Sequence, residues 1–448
     1  MPKGVAATLL ALQYQLGESE RMAPGRLQSL QLSALGRLLR HARSTVPYYR
    51  DDPAYDVSGQ SGALDADAWS RLPVLGRAAV QDAGEDLRSS DVPADHLPLS
   101  EVTTSGSTGR PLTVVSSNLA ATFWHAVTLR EHLWHGREAA GRLAVIRPDP
   151  RRQVPPEGKV VPRWGQPIGM VMPSGPMGLM SVQTDVAVQA EWLVAFNPHY
   201  LLSLPSNLMA LAQHFRATGT RLPVLAEVIS IGETLSSNVR DACADVWGVP
   251  VKDMYSSQEL GYIALQCPTG ERYHVQSEVA YVEVLDDGDQ PCPPGGTGRV
   301  VVTALHNYAM PLLRYDIGDY AEVGGACGCG RGLPVLNRVL GRQRNMLTLP
   351  SGQRRWPTFA AAWRGIDVVR QIQLVQREVD HIQARIVGPR PLTEDEESRF
   401  VSELRQALEY PFRVSFEYLD GIDRSKNSKF EDFVSLVPPP SRPPSPHH

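Results

Sequence analysis

Residues 103–109 are all hydroxyl side chains or glycines, in the order Thr-Thr-Ser-Gly-Ser-Thr-Gly, and Arg110 and Pro111 follow. Glycine lets backbone N–H groups approach a phosphate closely, and hydroxyl groups add further donors. The nucleotide loop that ends in Gly-Lys-Ser/Thr is excluded, because arginine and not lysine follows Gly109. The stretch therefore predicts either a phosphate-binding loop or an ordinary serine/glycine turn.

Bulk composition excludes several classes of protein. The 448 residues predict two or three domains, and 42% hydrophobic with 21% charged residues is typical of a globular chain. A net charge of -4 and a pI near 6.3 give no basic surface for nucleic acid. Five cysteines do not form a disulfide scaffold, which favours a reducing, cytoplasmic setting. Since no apolar run approaches the ~20 residues of a spanning helix, we expect no membrane segment.

Apolar periodicity predicts an α/β fold with a large N-terminal and a small C-terminal domain. Residues 1–50 have helical spacing of leucines and should leave the helix near Val46-Pro47, and Val5–Leu12 is interpreted as helix and not as an export signal. From about residue 99 to 340, short β-branched runs alternate with helical segments, which indicates sheets flanked by helices. The strand-like runs include residues 142–146, 224–229 and 299–303.

The pattern changes near Gly341. Strand-like runs at 368–375, 381–387 and 412–418 surround a charged helix predicted for 393–408, with Thr393 and Glu396 at capping-box positions. We therefore predict a large domain at 1–341, a small mobile α+β domain at 342–437, and a disordered Pro/Ser-rich tail at 438–448.

Further motifs follow the loop in a fixed order, ending with Lys429. Together they resemble the adenylate-forming superfamily of acyl-CoA synthetases, luciferases and peptide-synthetase adenylation domains, and in particular its phenylacetate-CoA ligase-like branch. The resemblance spans about residues 30 to 436 and is carried by 46–50 (Val-Pro-Tyr-Tyr-Arg), 72–75 (Leu-Pro-Val-Leu), 103–111, 255–261 (Tyr-Ser-Ser-Gln-Glu-Leu-Gly), 311–319 (Pro-Leu-Leu-Arg-Tyr-Asp-Ile-Gly-Asp), 341–342 (Gly-Arg) and 425–430 (Ser-Lys-Asn-Ser-Lys-Phe).

The resemblance implies a site for ATP and Mg²⁺. Ser105, Gly106, Ser107, Thr108 and Gly109 would hold the β- and γ-phosphates, and Glu259 would bind Mg²⁺, a hard cation that prefers carboxylate oxygen. Tyr255 would stack on adenine with Ser256 beside it, Gly232 and Glu233 would pack along adenine, and Asp319 would accept from the ribose hydroxyls. Gln258 stands where most relatives have threonine.

The resemblance also implies a moving catalytic lysine. Lys429 would reach the carboxylate and the α-phosphate together, with Lys426 as a nearby competitor, although Ser428 replaces the usual glycine. Gly341-Arg342 resembles the hinge, and Arg342 would contact ribose or phosphate. Arg344 and Asn345 occupy positions where many relatives have aspartates, which leaves the second half-reaction open.

Two pairs of soft ligands suggest a structural metal. Cys267 and His274 form one pair, and Cys327 and Cys329 form the other. Four such ligands suit tetrahedral Zn²⁺ with no open position. The alternative is free thiols near an unrelated histidine.

The expected function is ATP-dependent activation of a carboxylic acid through an acyl-adenylate, followed by transfer to CoA. Two alternatives are transfer to an amine or hydroxyl, and a non-catalytic nucleotide-binding relative. An aromatic or heteroaromatic acid is expected from the resemblance. Phe123 and Trp124 are either stacking partners for such an acid or core residues. The oligomeric state is open, with a homodimer as one expectation.

Overall fold

A computed structural model gives the fold of residues 3–56, 64–104, 112–149, 151–357, 366, 368–422 and 431–438, together with the side chains of these residues except 104 and 343. The helices in this part of the chain are α1 (Val5–Ser19), α2 (Pro24–Thr45), α3 (Pro47–Arg50), α4 (Ala66–Ser70), α5 (Arg77–Ala83), α6 (Asn118–Trp134), α7 (Ile168–Val171), α8 (Val186–Phe196), α9 (Pro205–Thr218), α10 (Ser237–Trp247) and α11 (Glu394–Ala407). None of these helices has the length and apolar character needed to span a bilayer.

The strands of the large domain are β1 (Leu99–Thr104), β2 (Leu112–Ser117), β3 (Leu143–Arg147), β4 (Lys159–Val161), β5 (Met177–Ser181), β6 (Tyr200–Ser203), β7 (Glu227–Ile231), β8 (Val251–Ser257), β9 (Gly261–Gln266), β10 (Tyr273–Val275), β11 (Ala280–Leu285), β12 (Thr297–Ala304), β13 (Tyr315–Val323) and β14 (Val335–Arg342). The strands that follow the large domain are β15 (Leu347–Thr348), β16 (Arg354–Arg355), β17 (Gln371–Glu378), β18 (His381–Val387), β19 (Arg413–Leu419) and β20 (Phe433–Ser435).

One twelve-stranded sheet organises the large domain, in the order β11-β12-β13-β14-β10-β9-β8-β7-β6-β3-β5-β4. Five consecutive strands of this order, β8, β7, β6, β3 and β5, are parallel to one another. The β8–β9 pair is antiparallel. Because α8, α9 and α10 connect the parallel strands and cover a face of the sheet, these strands are buried and apolar. The predicted α/β class is confirmed.

A second hydrophobic core lies beyond the large sheet. It is built by Leu374, Ile382, Phe400 and Phe412, which bring α11 against the sheet β19-β18-β17-β20. The expected small α+β unit is thus present. Helix α11 begins with the predicted capping box, in which the Thr393 side chain accepts from the Glu396 N–H and the Glu396 carboxylate accepts from the Thr393 N–H.

The N-terminal prediction is confirmed in outline and needs one refinement. The helical region is two helices, since α1 ends at Ser19 and α2 begins at Pro24, a residue that suits a first helical turn. Helix α2 ends at Thr45, directly before Val46-Pro47, as the sequence predicts. Most of the predicted tail, residues 439–448, lies outside the described part of the chain.

Candidate active site

A cavity opens where three parallel strands end. Strands β6, β7 and β8 are neighbours in the sheet, so their carboxyl ends meet at one edge. Residues that follow β6 and β7 and residues near the end of β8 line a cavity of about 340 Å³ at this edge. The carboxyl edge of parallel strands is where open α/β sheets commonly bind ligands.

Six residues expected from the sequence to bind the nucleotide line this one cavity: Gly232, Glu233, Tyr255, Ser256, Asp319 and Arg342. Trp356 and Phe433, which lie beyond residue 342, also line it. The rings of Trp356 and Tyr320 have centroids 5.9 Å apart. The cavity is therefore enclosed by both the large and the small domain.

Tyr255 and Asp319 are joined inside the cavity. The Tyr255 hydroxyl donates to Asp319 Oδ2 at 3.0 Å, and Arg342 Nε lies 3.5 Å from Asp319 Oδ1. Burial, and then the negative charge of Asp319, raise the pKa of Tyr255 well above its usual value. These two contacts fix the direction of the Asp319 carboxylate, a geometry that can accept from a vicinal diol.

Glu233 has a structural partner within the cavity wall. Its carboxylate accepts from the Ser206 backbone N–H at 2.9 Å and from the Ser206 hydroxyl at 3.1 Å. Since Ser206 lies in the first turn of α9, the carboxylate caps the positive end of that helix. The backbone of 232–234, and not the Glu233 carboxylate, is then the surface available to a planar base.

Glu259 lies in an adjoining cavity. It lies in the turn between β8 and β9, close in sequence to Tyr255 on β8, and it lines a second cavity of about 380 Å³. Arg77 Nη1 donates to Glu259 Oε1 at 3.4 Å. Burial raises the pKa of Tyr315 to about 12, with Glu259 adding to the shift while Arg77 and Arg342 oppose it. Tyr315 therefore lies near both Glu259 and Arg342.

The remaining expected residues of the nucleotide site lie outside the described residues: Ser105, Gly106, Ser107, Thr108, Gly109, Lys426 and Lys429. The strands on either side of the loop are in place, because β1 and β2 pair antiparallel with Thr103 opposite Thr113. The hydroxyls of these two threonines are 3.0 Å apart.

The junction between the domains uses Arg344 and Asn345, the two residues at the expected aspartate positions of the hinge. The Arg342 N–H donates to Asn345 Oδ1 at 3.0 Å, and Asn345 Nδ2 donates to the Phe433 carbonyl at 2.6 Å. Arg344 forms an ion pair with Glu431 at 2.7 Å. Gly341 has φ +90°, and a Cβ there would lie 2.8 Å from Thr234 Oγ1, so glycine is required for this close approach.

The four candidate zinc ligands converge. The ligand atoms of Cys267, His274, Cys327 and Cys329 all lie within 4.8 Å of one another. The Cys267 and Cys327 sulfurs are 3.8 Å apart, and Cys329 Sγ lies 3.2 Å from His274 Nε2. Three sulfurs and one imidazole nitrogen form a donor set that fits tetrahedral Zn²⁺.

Sequence reasoning missed Asp253 and Arg77. Asp253 lines the cavity at the carboxyl edge of β6, β7 and β8. It is 5% exposed and accepts a hydrogen bond from the Tyr273 hydroxyl at 2.6 Å. Its one sequence signal is a carboxylate inside the apolar run of β8. Arg77 carries no such signal, since its partner Glu259 lies 182 residues away.

The chain is similar to several known proteins. A family model described as the CapK C-terminal domain matches residues 357–435. A phenylacetate-coenzyme A ligase of Thermus thermophilus is 27% identical over 372 residues, which cover 78% of each chain.

Among solved structures, 2-hydroxyisobutyryl-CoA ligase in the postadenylation state with 2-HIB-AMP has a TM-score of 0.73 at 19% identity, covering 94% of this chain and 91% of that one. The same ligase with 2-HIB-AMP and CoA in the thioesterification state has a TM-score of 0.59 at 20% identity, with the same coverage. The fold therefore superposes more closely on the first of these two structures.

Proposed function

Because the chain belongs to the phenylacetate-CoA ligase-like branch of the adenylate-forming superfamily, we propose that it activates a carboxylic acid with ATP and transfers the acyl group to CoA. The first step forms an acyl-adenylate and releases pyrophosphate. The second forms the thioester and releases AMP. The preferred acid is an aryl or related acid, in keeping with the phenylacetate named for the relatives.

The observation that carries this proposal is the meeting of Tyr255, Asp319 and Arg342 in one cavity at the carboxyl edge of the sheet. In our proposal adenine lies between Tyr255 and the backbone of 232–234, and the ribose hydroxyls donate to Asp319. The phosphates extend toward residues 105–109 and toward Mg²⁺ held by Glu259.

The attack of a carboxylate on a phosphate joins two anions, so the site must supply positive charge and fixed donors. Lys429 is the cation that we assign to this step. Arg77 is the cation already placed at Glu259, and Mg²⁺ would share that carboxylate with it. Mg²⁺ neutralises the phosphate charge when it is bound.

We further infer that Cys267, His274, Cys327 and Cys329 hold one structural Zn²⁺. The metal would bind the turn after β9 to the loop that precedes β14, with no position left for substrate. Free cysteines throughout the described chain suit a reducing compartment, so we assign the activity to the cytoplasm.

The acceptor is tested by the mass of the product. The enzyme is incubated with ATP, Mg²⁺ and an active acid, with and without CoA, and with an amine in place of CoA. We expect an acyl-CoA mass only when CoA is present, together with stoichiometric AMP. An amide or ester formed at an equal or greater rate would favour the alternative acceptors, and the absence of any acyl product would contradict the proposal.

A further inference from the structure

The second cavity, beside Glu259, is bounded mainly by apolar and aromatic side chains. Its volume is about 380 Å³, which is within the range of small-molecule sites. Among its described lining residues, Glu259 is the one ionised group and there is no lysine or arginine. Since Glu259 is already paired with Arg77, the rest of the cavity suits an uncharged organic group.

Aromatic rings give the cavity flat walls. The Phe123 and His306 rings stack with centroids 3.7 Å apart and planes 6° from parallel. On another wall, Trp124 and Tyr262 have centroids 4.8 Å apart. Gly261, with φ +92°, lies beside Trp124 and leaves that wall flat. A planar ring fits between such walls with favourable stacking.

His306 is fixed in one tautomer. Its Nε2 lies 2.8 Å from the Glu278 carbonyl oxygen, which can only accept, so Nε2 must carry the proton. Glu278 is itself anchored, because its carboxylate pairs with Arg130 at 2.8 Å and accepts from the Ser19 hydroxyl at 2.5 Å. Burial lowers the pKa of His306 to about 4, so the ring is neutral at physiological pH.

The other ring nitrogen is then an acceptor. With Nε2 protonated and the ring neutral, Nδ1 keeps its lone pair. Nδ1 accepts no hydrogen bond from the described residues, and it is not among their fully buried unpaired polar atoms. Since the His306 ring lines the second cavity, this acceptor is open to a molecule bound there.

Building on the proposed acid activation, we propose that His306 is a specificity-determining residue that selects planar aromatic acids with a hydroxyl or amino donor on the ring. The donor would bind Nδ1 while the aromatic ring lies against the flat walls. An acid without a donor would displace water from Nδ1 and leave it unpaired, which costs affinity. A methoxy group has similar size but cannot donate, so it separates hydrogen bonding from shape.

The wild-type enzyme provides the first test. Acid-dependent ATP–pyrophosphate exchange is measured for benzoic and phenylacetic acids that are unsubstituted or carry hydroxyl, amino or methoxy groups at each ring position. We expect at least one hydroxy or amino acid to exceed both its methoxy and its unsubstituted counterpart in kcat/KM by about 10- to 100-fold. Equal values for donor and methoxy acids, with clear exchange, would overturn the role of His306 and leave the proposed function intact.

Variants locate the effect at the ring nitrogen. His306→Phe keeps an aromatic ring but removes Nδ1, so the donor-to-methoxy ratio should fall to about 1–3. His306→Gln keeps an acceptor and should retain part of the preference. His214→Phe, on helix α9 and outside both cavities, is the matched control and should keep the wild-type ratio. A wild-type ratio in His306→Phe would contradict the proposal. Absence of exchange with every acid would overturn both this proposal and the proposed function.

Discussion

The Tyr255 hydroxyl donates a 3.0 Å hydrogen bond to Asp319 Oδ2, although the two residues are 64 positions apart. Tyr255 is on β8 and Asp319 is on β13, and β14, β10 and β9 lie between these strands in the sheet. The bond therefore links two strands that are not neighbours in the sheet and holds an aromatic ring beside a carboxylate in the cavity.

This pair gives the first prediction. Asp319→Asn removes the charge that accepts from ribose, so kcat/KM for ATP should fall by about 10- to 100-fold. Tyr255→Phe removes only the bond that orients the carboxylate and should cost about 2- to 10-fold. Both are measured by pyrophosphate exchange at varied ATP. An unchanged KM for ATP in Asp319→Asn would show that this carboxylate does not contact the ribose.

Glu259 should control the metal requirement. Glu259→Gln replaces a carboxylate ligand with an amide, so the Mg²⁺ concentration for half-maximal exchange should rise at least about 10-fold. Glu191→Gln, an exposed change on α8, is the control and should titrate with Mg²⁺ like the wild type. If both variants titrate alike, the metal is held elsewhere.

Single substitutions distinguish the roles of Lys429 and Lys426. We expect Lys429→Ala to lower adenylate formation by about 100-fold or more while ATP binding stays nearly intact, because a transition-state contact is lost. Lys426→Ala should change the rate by less than about 5-fold. Single-turnover adenylate formation and equilibrium ATP binding distinguish the steps. The reverse order of effects would assign the role to Lys426.

Measuring the metal content of the purified protein tests the proposed zinc site. Protein freed of loose metal with a mild chelator should contain about one zinc per chain, and Cys327→Ser should lose the metal and several degrees of thermal stability. Cys292→Ser, outside the cluster, should keep the metal. Wild-type protein without zinc, or Cys327→Ser protein that still holds about one zinc per chain, would contradict the proposed site.

Buried neutral histidines should make stability fall in acid. Burial lowers the pKa of His132 and of His135 to about 4, whereas in the unfolded chain both have the usual value near 6.5. The unfolded state therefore binds more protons between pH 6.5 and 4, and stability present above pH 6.5 is lost as pH falls through that window.

Each of these two histidines should contribute a loss of about 2 kcal/mol between pH 7 and pH 5. Asp253 acts in the opposite direction, because burial raises its pKa to about 6, and it offsets part of this loss. Urea unfolding at pH 7, 6 and 5 measures the slope, and His132→Gln should make it shallower. A free energy of unfolding that rises toward pH 5 would contradict this assignment.

The fold was predictable from local patterns. The strand predicted at 381–387 coincides with β18, and the capping pair Thr393 and Glu396 identified the start of α11 from four consecutive positions. These features depend on side-chain periodicity and on neighbouring groups, which a sequence displays directly.

The site was predictable only where residues belong to a motif. The motif residues Tyr255 and Asp319 lie in one cavity, but the pairing of Arg77 with Glu259 depends on how distant segments meet. Leu75 pairs with Tyr315 through the backbone and so brings Arg77 to the site, a contact that leaves no periodic trace in the sequence. The tautomer of His306 likewise depends on the Glu278 carbonyl, which only coordinates reveal.

Acid-dependent exchange of labelled pyrophosphate into ATP tests the central claim most directly, since it reports adenylate formation without any assumption about the acceptor. We predict that wild-type enzyme with Mg²⁺ and a suitable aryl acid exchanges label well above the rate without acid, and that Asp319→Asn lowers this rate. Exchange that stays at the acid-free level for every acid in a broad panel, in folded protein that binds ATP, would contradict the account.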